Sequence, residues 1–376
     1  MGPLNGVRVV EIAGIGPGPF CAMMLADLGA DVIRVERTGG GSTNLPVDLL
    51  NRGRRSLGVN LKRAEGAELV LKLVETADVV LEGFRPGVAE RLGIGPDACL
   101  ARNPKVVYGR ITGWGQDGPL AARAGHDLNY IGIAGALDPI GHAGGPPVIP
   151  LNLVADFGGG GMLLAFGVVS ALVETQRSGK GQVVDAAMVD GASLLTTMFH
   201  GLLASGMWQT ARGSNMLDGG APFYQVYETK DGEHMAAGGI EPKFYVEMLR
   251  GLGLEGADLP FQYDQGRWPE MRARFAEIFR TKTRAEWTEI FEDRDACVTP
   301  VLSLTEARDH RHNLARGTFV EVDGVPQPAP APRFSRTPNA VPGPPAKAGQ
   351  HTDEILAELG LDADEISALR SARTVG

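Results

Sequence analysis

Cysteine is scarce in this chain, with three in 376 residues, and Cys21, Cys99 and Cys297 show neither paired nor metal-type spacing. That argues against a disulfide framework or a zinc site, leaves buried inert thiols as the expectation, and makes a reducing cytoplasm the natural compartment. Excess positive charge is also absent. The formal net charge is -9, which argues against general affinity for nucleic acid. No run approaches the ~20 uninterrupted apolar residues that a bilayer crossing needs, so no membrane association is expected. "MGPLNGVRVVEI" lacks the basic and apolar regions of a secretion signal, "ARTVG" matches no address signal, and no internal repeat is evident. With 43% hydrophobic and 22% charged residues, the composition is that of an ordinary globular protein, long enough for two domains with an ample core.

The first third alternates β-rich runs with helical patterns. "VRVVEI", "ADVIRVE", "DVVLEGF" and "KVVYGRIT" read as four strands, with helices through "PGPFCAMMLADLG" and "AEGAELVLKLVETA". Such alternation predicts an α/β fold with a doubly wound parallel sheet. Pro17 and Pro19 mark the start of the first helix and Gly29 its stop, and Phe20, Met23, Met24 and Leu28 are expected to pack on the sheet. "GGGG" after Asp156 leads into the apolar helix "MLLAFGVVSALVETQ", and "VVDAAMVD" returns as strand and helix. Near Gly220 a smaller α+β domain begins. "FYQVYETKDGEHMAAGGI" predicts a hairpin about an Asp-Gly turn, followed by helices in "PKFYVEMLRGLG", "WPEMRARFAEIFRT" and "RAEWTEIFED". Eight prolines between 326 and 345 predict an extended connector, and Thr352 is the expected N-cap of a C-terminal helix. The organisation expected is a large domain over 1–190, a linker helix over 191–220, a small domain over 221–325, and a proline-rich return with C-terminal helices over 326–376.

Strand, "AGIGPGP", helix, strand and Glu36 together suggest a dinucleotide-binding loop. The spacing fails, because Gly14 and Gly16 fill two positions of G-x-G-x-x-G while the third falls on Pro19, whose ring stands where close helix–strand contact wants a hydrogen. The plain reading is a tight strand-to-helix turn.

Two features carry chemistry. Residues 34–91 hold ten Lys and Arg against eight acids, a local basic excess inside an acidic chain. Arg37, Arg52, Arg54, Arg55, Lys62, Arg85 and Arg91 fall after strands, where parallel sheets bind ligands, and arginine forks match phosphate oxygens. Surface arginines are common, and taken singly each reads as a solvated side chain sooner than as a phosphate ligand; the cluster is what points to a site. The second feature is the pair "ARAGHDLNY" and "PLNLVADFGGGG", which set His126, Asp127 and Asp156 beside glycines. An imidazole and a carboxylate of raised pKa, converging on one pocket, suit proton abstraction from carbon on one face and return on the other. His126 opens an apparent helix whose free amides could stabilise developing negative charge and keep the imidazole neutral. The glycine run should leave the Asp156 carboxylate uncrowded and let backbone approach a substrate. The plain alternatives are a hydrogen-bonded structural histidine and an aspartate N-cap.

From "GVRVVEIAGIGPGPFCAMMLADLGADVIRVER" through "AGHD", "PLNLVADFGGG" and "DACVTPV" to "HTDEILAELG", the chain resembles the alpha-methylacyl-CoA racemases, a branch of the family III CoA-transferase superfamily. The resemblance implies that coenzyme A is bound by Arg37, by Val59, Asn60, Leu61 and Lys62, by Gly83, Phe84 and Arg85, by Arg91, and by Gly125, His126, Asp127, Leu128, Asn129 and Tyr130. It implies His126 and Asp156 as catalytic bases, with Glu241 supporting the histidine; a helix-start acid before Pro242 is the plain alternative there. In the transferases the aspartate matching Asp127 is a nucleophile, whereas the racemases have a histidine just before it. Both His126 and Asp127 are present, so the resemblance favours a racemase acting on 2-methylacyl-CoA thioesters and keeps a family III CoA-transferase as the alternative. No metal or redox cofactor is implied, the CoA moiety arriving with the substrate. The expected partner is a second copy of the chain, in a homodimer whose subunits interlock. Met188, Met198, Met207 and Met216 are candidates for an adaptable acyl-binding surface, or for ordinary core packing.

Overall fold

The computed structural model describes residues 2–40 and 45–376. Its large sheet is built from short β-branched runs: β1 (Arg8–Ile12), β2 (Asp31–Glu36), β3 (Arg55–Gly58), β4 (Val79–Glu82), β5 (Val107–Thr112) and β6 (Val183–Ala187). All neighbours pair in parallel in the order β3-β2-β1-β4-β5-β6. The order reverses between β1 and β4, and in such sheets the crevice beyond the strands' carboxyl ends at that point is where ligands bind. One strand more lies in the first third than the sequence suggested. β3 has the sequence RSLG, and Arg52 and Arg54 before it and Arg55 at its start mask its β character, yet its residues Leu57 and Gly58 are buried.

Helices cross over the sheet: α1 (Pro17–Asp27), α2 (Ala64–Val74), the single turn α3 (Val88–Arg91), α4 (Pro96–Arg102) and α5 (Asp127–Ile133). Gly29, at φ 98°, stops the first crossover in a conformation that costs an L side chain steric strain. The face that α1 buries is not the expected one. Cys21, Ala22 and Leu25 are inside, whereas Phe20, Met23, Met24 and Leu28 are only partly covered.

A continuous helix then runs from Leu153 to Ser178. Its first ten residues, Leu153–Met162, are wound as a wide π-helix, and the remainder is α6 (Leu163–Ser178). By length and composition it could cross a membrane, yet it sits beside the sheet with Leu164, Ala165, Val168 and Ala171 buried. α7 (Met188–Leu195) follows β6.

The first compact unit comprises 1–134, 151–195 and 314–376. Its main core joins strand residues such as Val10, Ile33, Leu57 and Val80 to Leu69, Val70 and Leu73 of α2. Ile355 and Leu356 complete it, from α14 (Thr352–Glu358) near the chain's end, before α15 (Ala363–Ser371). Thr352 is not the cap of α14, because His351 takes that position. The Thr352 hydroxyl instead accepts from the Gly58 amide and donates to the Gly349 carbonyl, tying the helix to β3.

The second unit comprises 135–150 and 196–313. After α8 (Thr197–Ala204) it holds an antiparallel sheet of β7 (Tyr224–Glu228), β8 (His234–Gly238) and β9 (Val298–Pro300). α9 (Pro242–Gly251), α10 (Trp268–Phe279) and α11 (Arg284–Phe291) follow the hairpin, and the short α12 (Leu304–Ala307) and α13 (Arg311–Arg316) come after β9. Aromatic side chains dominate its core, with Phe223, Tyr227, Trp268, Phe275, Phe279, Trp287 and Phe291 all buried.

These boundaries differ from those read in the sequence. Residues 135–150 fall in the smaller unit because Arg212 bonds Asp138 and the Gly145 carbonyl. Residues from 314 onward fall in the larger one. There β10 (Phe319–Val322) and β11 (Val325–Pro328) form a hairpin whose Gln327 side chain and Pro328 carbonyl accept from Arg52. The proline-rich segment therefore begins as a strand rather than a connector. Cys297 departs as well, being exposed at φ 51°, whereas Cys21 and Cys99 are buried.

Candidate active site

A cavity of about 590 Å³ opens at the switch point of the large sheet, a size suited to a small-molecule ligand. Each wall is a loop at the end of a strand: Ala13 to Pro19 after β1, Gly83 to Pro86 after β4, and Gly113 and Trp114 after β5. Gly125, His126 and Tyr130 of the α5 region complete it with Asn152, Asp156 and Met188.

The glycine loop is poorly suited to phosphate. Pro17 and Pro19 remove two amide donors from the start of α1, and the Phe20 amide is spent on the Gly16 carbonyl. Glu36, the would-be ribose ligand, is buried and accepts from Ser56 Oγ at 2.8 Å. What the loop does supply is a tight turn beside Asp156. Gly16 is at φ 69°, a backbone angle that strains an L side chain, and a Cβ there would lie at ordinary contact distance, 3.7 Å, from Asp156 Oδ2.

His126 precedes the first turn of α5, and its own amide donates to Asn129 Oδ1 at 3.0 Å. Tyr130 packs edge-on against Trp114, with ring centroids 4.8 Å apart, and donates its hydroxyl to the Gly125 carbonyl. That contact fixes the backbone just before the histidine. Asp156 lies in the π-helical stretch, and Asn152 Nδ2 donates to its Oδ2 at 3.0 Å. Burial holds the Asp156 carboxyl above the usual aspartate range; the Asn152 hydrogen bond and His126 oppose this, and Asp127 adds to it. A carboxylate so raised is a better proton acceptor at carbon than an ordinary one.

Asp127 does something else. Its side chain is buried and does not line the cavity; Oδ2 accepts the amide protons of Ala155 at 2.7 Å and Asp156 at 2.8 Å. It caps the start of the helix that carries Asp156. The glycine run has a packing role too. An added Cβ would lie 2.6 Å from the Ala192 amide nitrogen at Gly159, 2.9 Å from the Met188 side chain at Gly160, and 2.7 Å from the Phe20 ring at Gly161. These glycines admit α1 and α7 to the helix, not a substrate to the backbone.

Asp127 aside, the proposed CoA contacts divide into three groups. Gly83, Phe84, Arg85, Gly125, His126 and Tyr130 line the cavity with Asp156. Arg37, Lys62, Arg91, Leu128 and Asn129 are exposed but do not line it. Val59 is buried and bridges Val375, the Asn60 amide donates to the Thr374 carbonyl, and Leu61 packs against the main core. Three arginines of the basic cluster are occupied within the protein. Arg52 grips Asp27 with Nη2–Oδ2 at 2.5 Å, Arg54 pairs with Glu11, and Arg55 bonds Asp31 and Glu358 at 2.8 and 2.6 Å. Arg52 and Arg54 are buried, so these three are not free to hold phosphate. Glu241 belongs to the second unit, exposed at the start of α9. There it adds, after burial and Asp295, to the upward shift of the Cys297 thiol. Of the four methionines, Met188 lines the cavity, Met216 packs on the smaller unit's core, and Met198 and Met207 are exposed. Asn152 and Trp114 escaped the sequence reading; a polar residue four positions before Asp156 on a helix was the available signal for Asn152.

The family model for CoA-transferase family III matches residues 4–352. The chain belongs to that family. Within it, the chain is 50% identical to the alpha-methylacyl-CoA racemase of Mus musculus over 99% of this chain and 97% of that protein. It is 46% identical to the alpha-methylacyl-CoA racemase of Homo sapiens, with the same coverage. A succinyl-CoA–L-malate CoA-transferase beta subunit of Chloroflexus aurantiacus is 31% identical over 99% of this chain and 98% of its own. The crystal structure of a CAIB/BAIF family protein from Brucella suis superposes with a TM-score of 0.81 at 31% identity, covering 95% of this chain and 99% of that one. The racemases are thus markedly more similar in sequence than this transferase.

Proposed function

We propose that the chain is an alpha-methylacyl-CoA racemase, interconverting the 2R and 2S forms of 2-methylacyl-CoA thioesters by 1,1-proton transfer. The observation that carries this reading is that His126 and Asp156 line one cavity while Asp127 does not. A transferase needs Asp127 as nucleophile, and a buried carboxylate already accepting two amide protons is poorly placed for attack. The identity to two racemases over nearly the whole chain points the same way.

In this mechanism the thioester carbonyl sits near the start of α5, whose first amides favour the developing enolate oxygen. One base removes the α-proton and the other returns a proton to the opposite face. His126, assisted by Glu241, serves the 2S proton and Asp156 the 2R proton. No metal or redox cofactor is needed, since CoA arrives with the substrate. The exposed arginines 37, 85 and 91 are its expected phosphate partners. The working form is a homodimer that supplies Glu241, and the apolar residues left exposed along 153–178, among them Leu153, Met162 and Phe166, are the kind of surface a second copy would cover. A cytoplasmic setting fits the free thiols.

The test is incubation of one pure epimer of a 2-methylacyl-CoA in deuterated water. Racemisation with α-deuterium uptake is expected. Exchange of labelled CoA between two acids without deuterium uptake would establish the transferase instead.

A further inference from the structure

Three side chains, Glu82 at the end of β4 and Tyr108 and Arg110 within β5, pin the segment 83–94, and none belongs to the contacts considered above. Glu82 ends β4 with its side chain fully enclosed. Its Oε2 accepts the Phe84 amide at 2.7 Å and its Oε1 accepts Arg110 Nε at 2.7 Å. Glu82 and Arg110 are register partners on adjacent parallel strands, which puts them on one face of the sheet. Arg110 Nη1 reaches on to Glu90 of α3 at 2.9 Å. Two residues back on β5, and so on the same face, Tyr108 lies under the Arg110 guanidinium at 5.9 Å and donates its hydroxyl to the Ile94 carbonyl at 2.9 Å.

The segment is thus held at its start by Glu82, in its middle by Arg110 and at its end by Tyr108. Between these anchors stand Arg85 and Arg91, both exposed. Such an arrangement is costly as a mere stabiliser, because buried ion pairs give back in desolvation much of what they gain in attraction. What it supplies is direction: a planar guanidinium held by two carboxylates fixes both strand end and helix turn.

We propose that Glu82 and Arg110, through Glu90, are positioning residues that fix the 83–91 segment so that Arg85 and Arg91 meet the coenzyme A portion of the substrate; this rests on the CoA-ester reading of the site. The reacting carbon lies by His126 and Asp156, so loosening the segment weakens binding of the ground and transition states alike. KM rises and kcat holds.

The experiment uses the full chain, with free CoA as the calorimetric probe, steady-state racemisation of a 2-methylacyl-CoA, and thermal melting. Glu90→Ala cuts the half-exposed outer arm and leaves the buried pair intact. It should raise the Kd for CoA and the KM about tenfold, with kcat within about twofold, as expected for uniform binding energy. Glu90→Gln, which keeps an acceptor for Arg110, should fall between it and wild type. Arg110→Lys, able to reach only one carboxylate, should weaken CoA at least as much as Glu90→Ala. Arg91→Ala reports on the CoA reading itself. If Arg91→Ala weakens CoA while Glu90→Ala and Arg110→Lys leave Kd and KM unchanged, the positioning role is overturned and the CoA site stands. Should all three leave CoA affinity untouched, the CoA reading fails and takes the positioning role with it. A fall in kcat equal to the rise in KM, or a loss of affinity matched by a lowered melting temperature that Glu90→Gln does not relieve, also overturns the proposal.

Discussion

The Asp127 carboxylate holds Asp156 by its backbone, accepting the Asp156 amide proton at 2.8 Å together with that of Ala155 at 2.7 Å. Asp127 directly follows His126, so one buried side chain links the two proposed bases through their main chains. It is a strut between the start of α5 and the start of the helix 153–178. That role explains why an aspartate is present at all in a chain whose chemistry, as proposed, does not consume it.

Asp127→Ala should therefore be a stability variant first. It strands two amide donors at a buried helix start, at about 1–3 kcal/mol for each unsatisfied group. Asp127→Asn keeps an acceptor for them and should cost markedly less. In urea denaturation Asp127→Asn is expected to lie between wild type and Asp127→Ala, with racemisation retained within about tenfold. Complete loss of activity in a stably folded Asp127→Asn protein would restore the nucleophile reading.

His126→Ala and Asp156→Ala should each abolish racemisation, by about two to four orders of magnitude, the range for losing a positioned acid or base. If each base serves one face, each variant still exchanges the α-proton of one epimer with solvent. The measurement is α-deuterium uptake by each pure epimer. His126→Ala should label the epimer served by Asp156, and Asp156→Ala the other. Loss of both exchanges on removing His126, with Asp156→Ala nearly silent, would mean a single base that swings between faces.

The pH dependence follows from the raised Asp156 carboxyl, which burial causes and which Asn152 partly counters. A carboxyl raised in the folded state binds its proton more tightly there than in the unfolded chain. Its contribution to stability is therefore full below the ordinary aspartate value of about 3.9 and is lost as pH rises through the folded value. Wild type should lose stability relative to Asp156→Asn across that window and hold a constant difference above it, as read by denaturation at a series of pH values. Asn152→Ala removes the opposing hydrogen bond. For the epimer whose proton Asp156 accepts, the acid limb of kcat/KM should move to higher pH in that variant.

Much of this site was legible because the relevant segments carry local rules. Strand, turn and helix signals placed "AGIGPGP" at a strand end, "AGHD" put an imidazole and a carboxylate directly after a glycine, and "VADFGGGG" put a carboxylate just ahead of a glycine run. What failed to show was direction. The arginines at 52, 54 and 55 looked like a phosphate site because sequence reports charge, not the partner a charge has found. Their partners Asp27, Glu11, Asp31 and Glu358 lie from 24 to over 300 positions away. The same arginines hid β3. The run Gly158 to Gly161 read as openness toward a ligand, but the close approach it permits is between helices, and only the tertiary fold chooses between those uses of glycine. Asp127 and Asp156 are 29 residues apart, and nothing local announces that one caps the other's helix.

Arg52 gives the clearest separation between charge read as a binding site and charge used as structure. Its guanidinium bonds both Asp27 oxygens, at 3.1 and 2.5 Å, the Gln327 side chain at 2.9 Å and the Pro328 carbonyl at 2.7 Å. It thereby fastens the end of α1 to the β10–β11 hairpin, from a side chain only 4% exposed. Arg52→Ala leaves the Asp27 carboxylate buried without its partner, a change that costs about 3–5 kcal/mol where such pairs are broken. Denaturant titration should show a loss of that order, and the folded fraction should bind CoA as tightly as wild type. Arg91→Ala should behave in the opposite way, with stability kept and CoA affinity reduced. If Arg52→Ala instead weakened CoA without loss of stability, the buried network at the end of α1 would have to open during the reaction, and the basic cluster would be a ligand site after all.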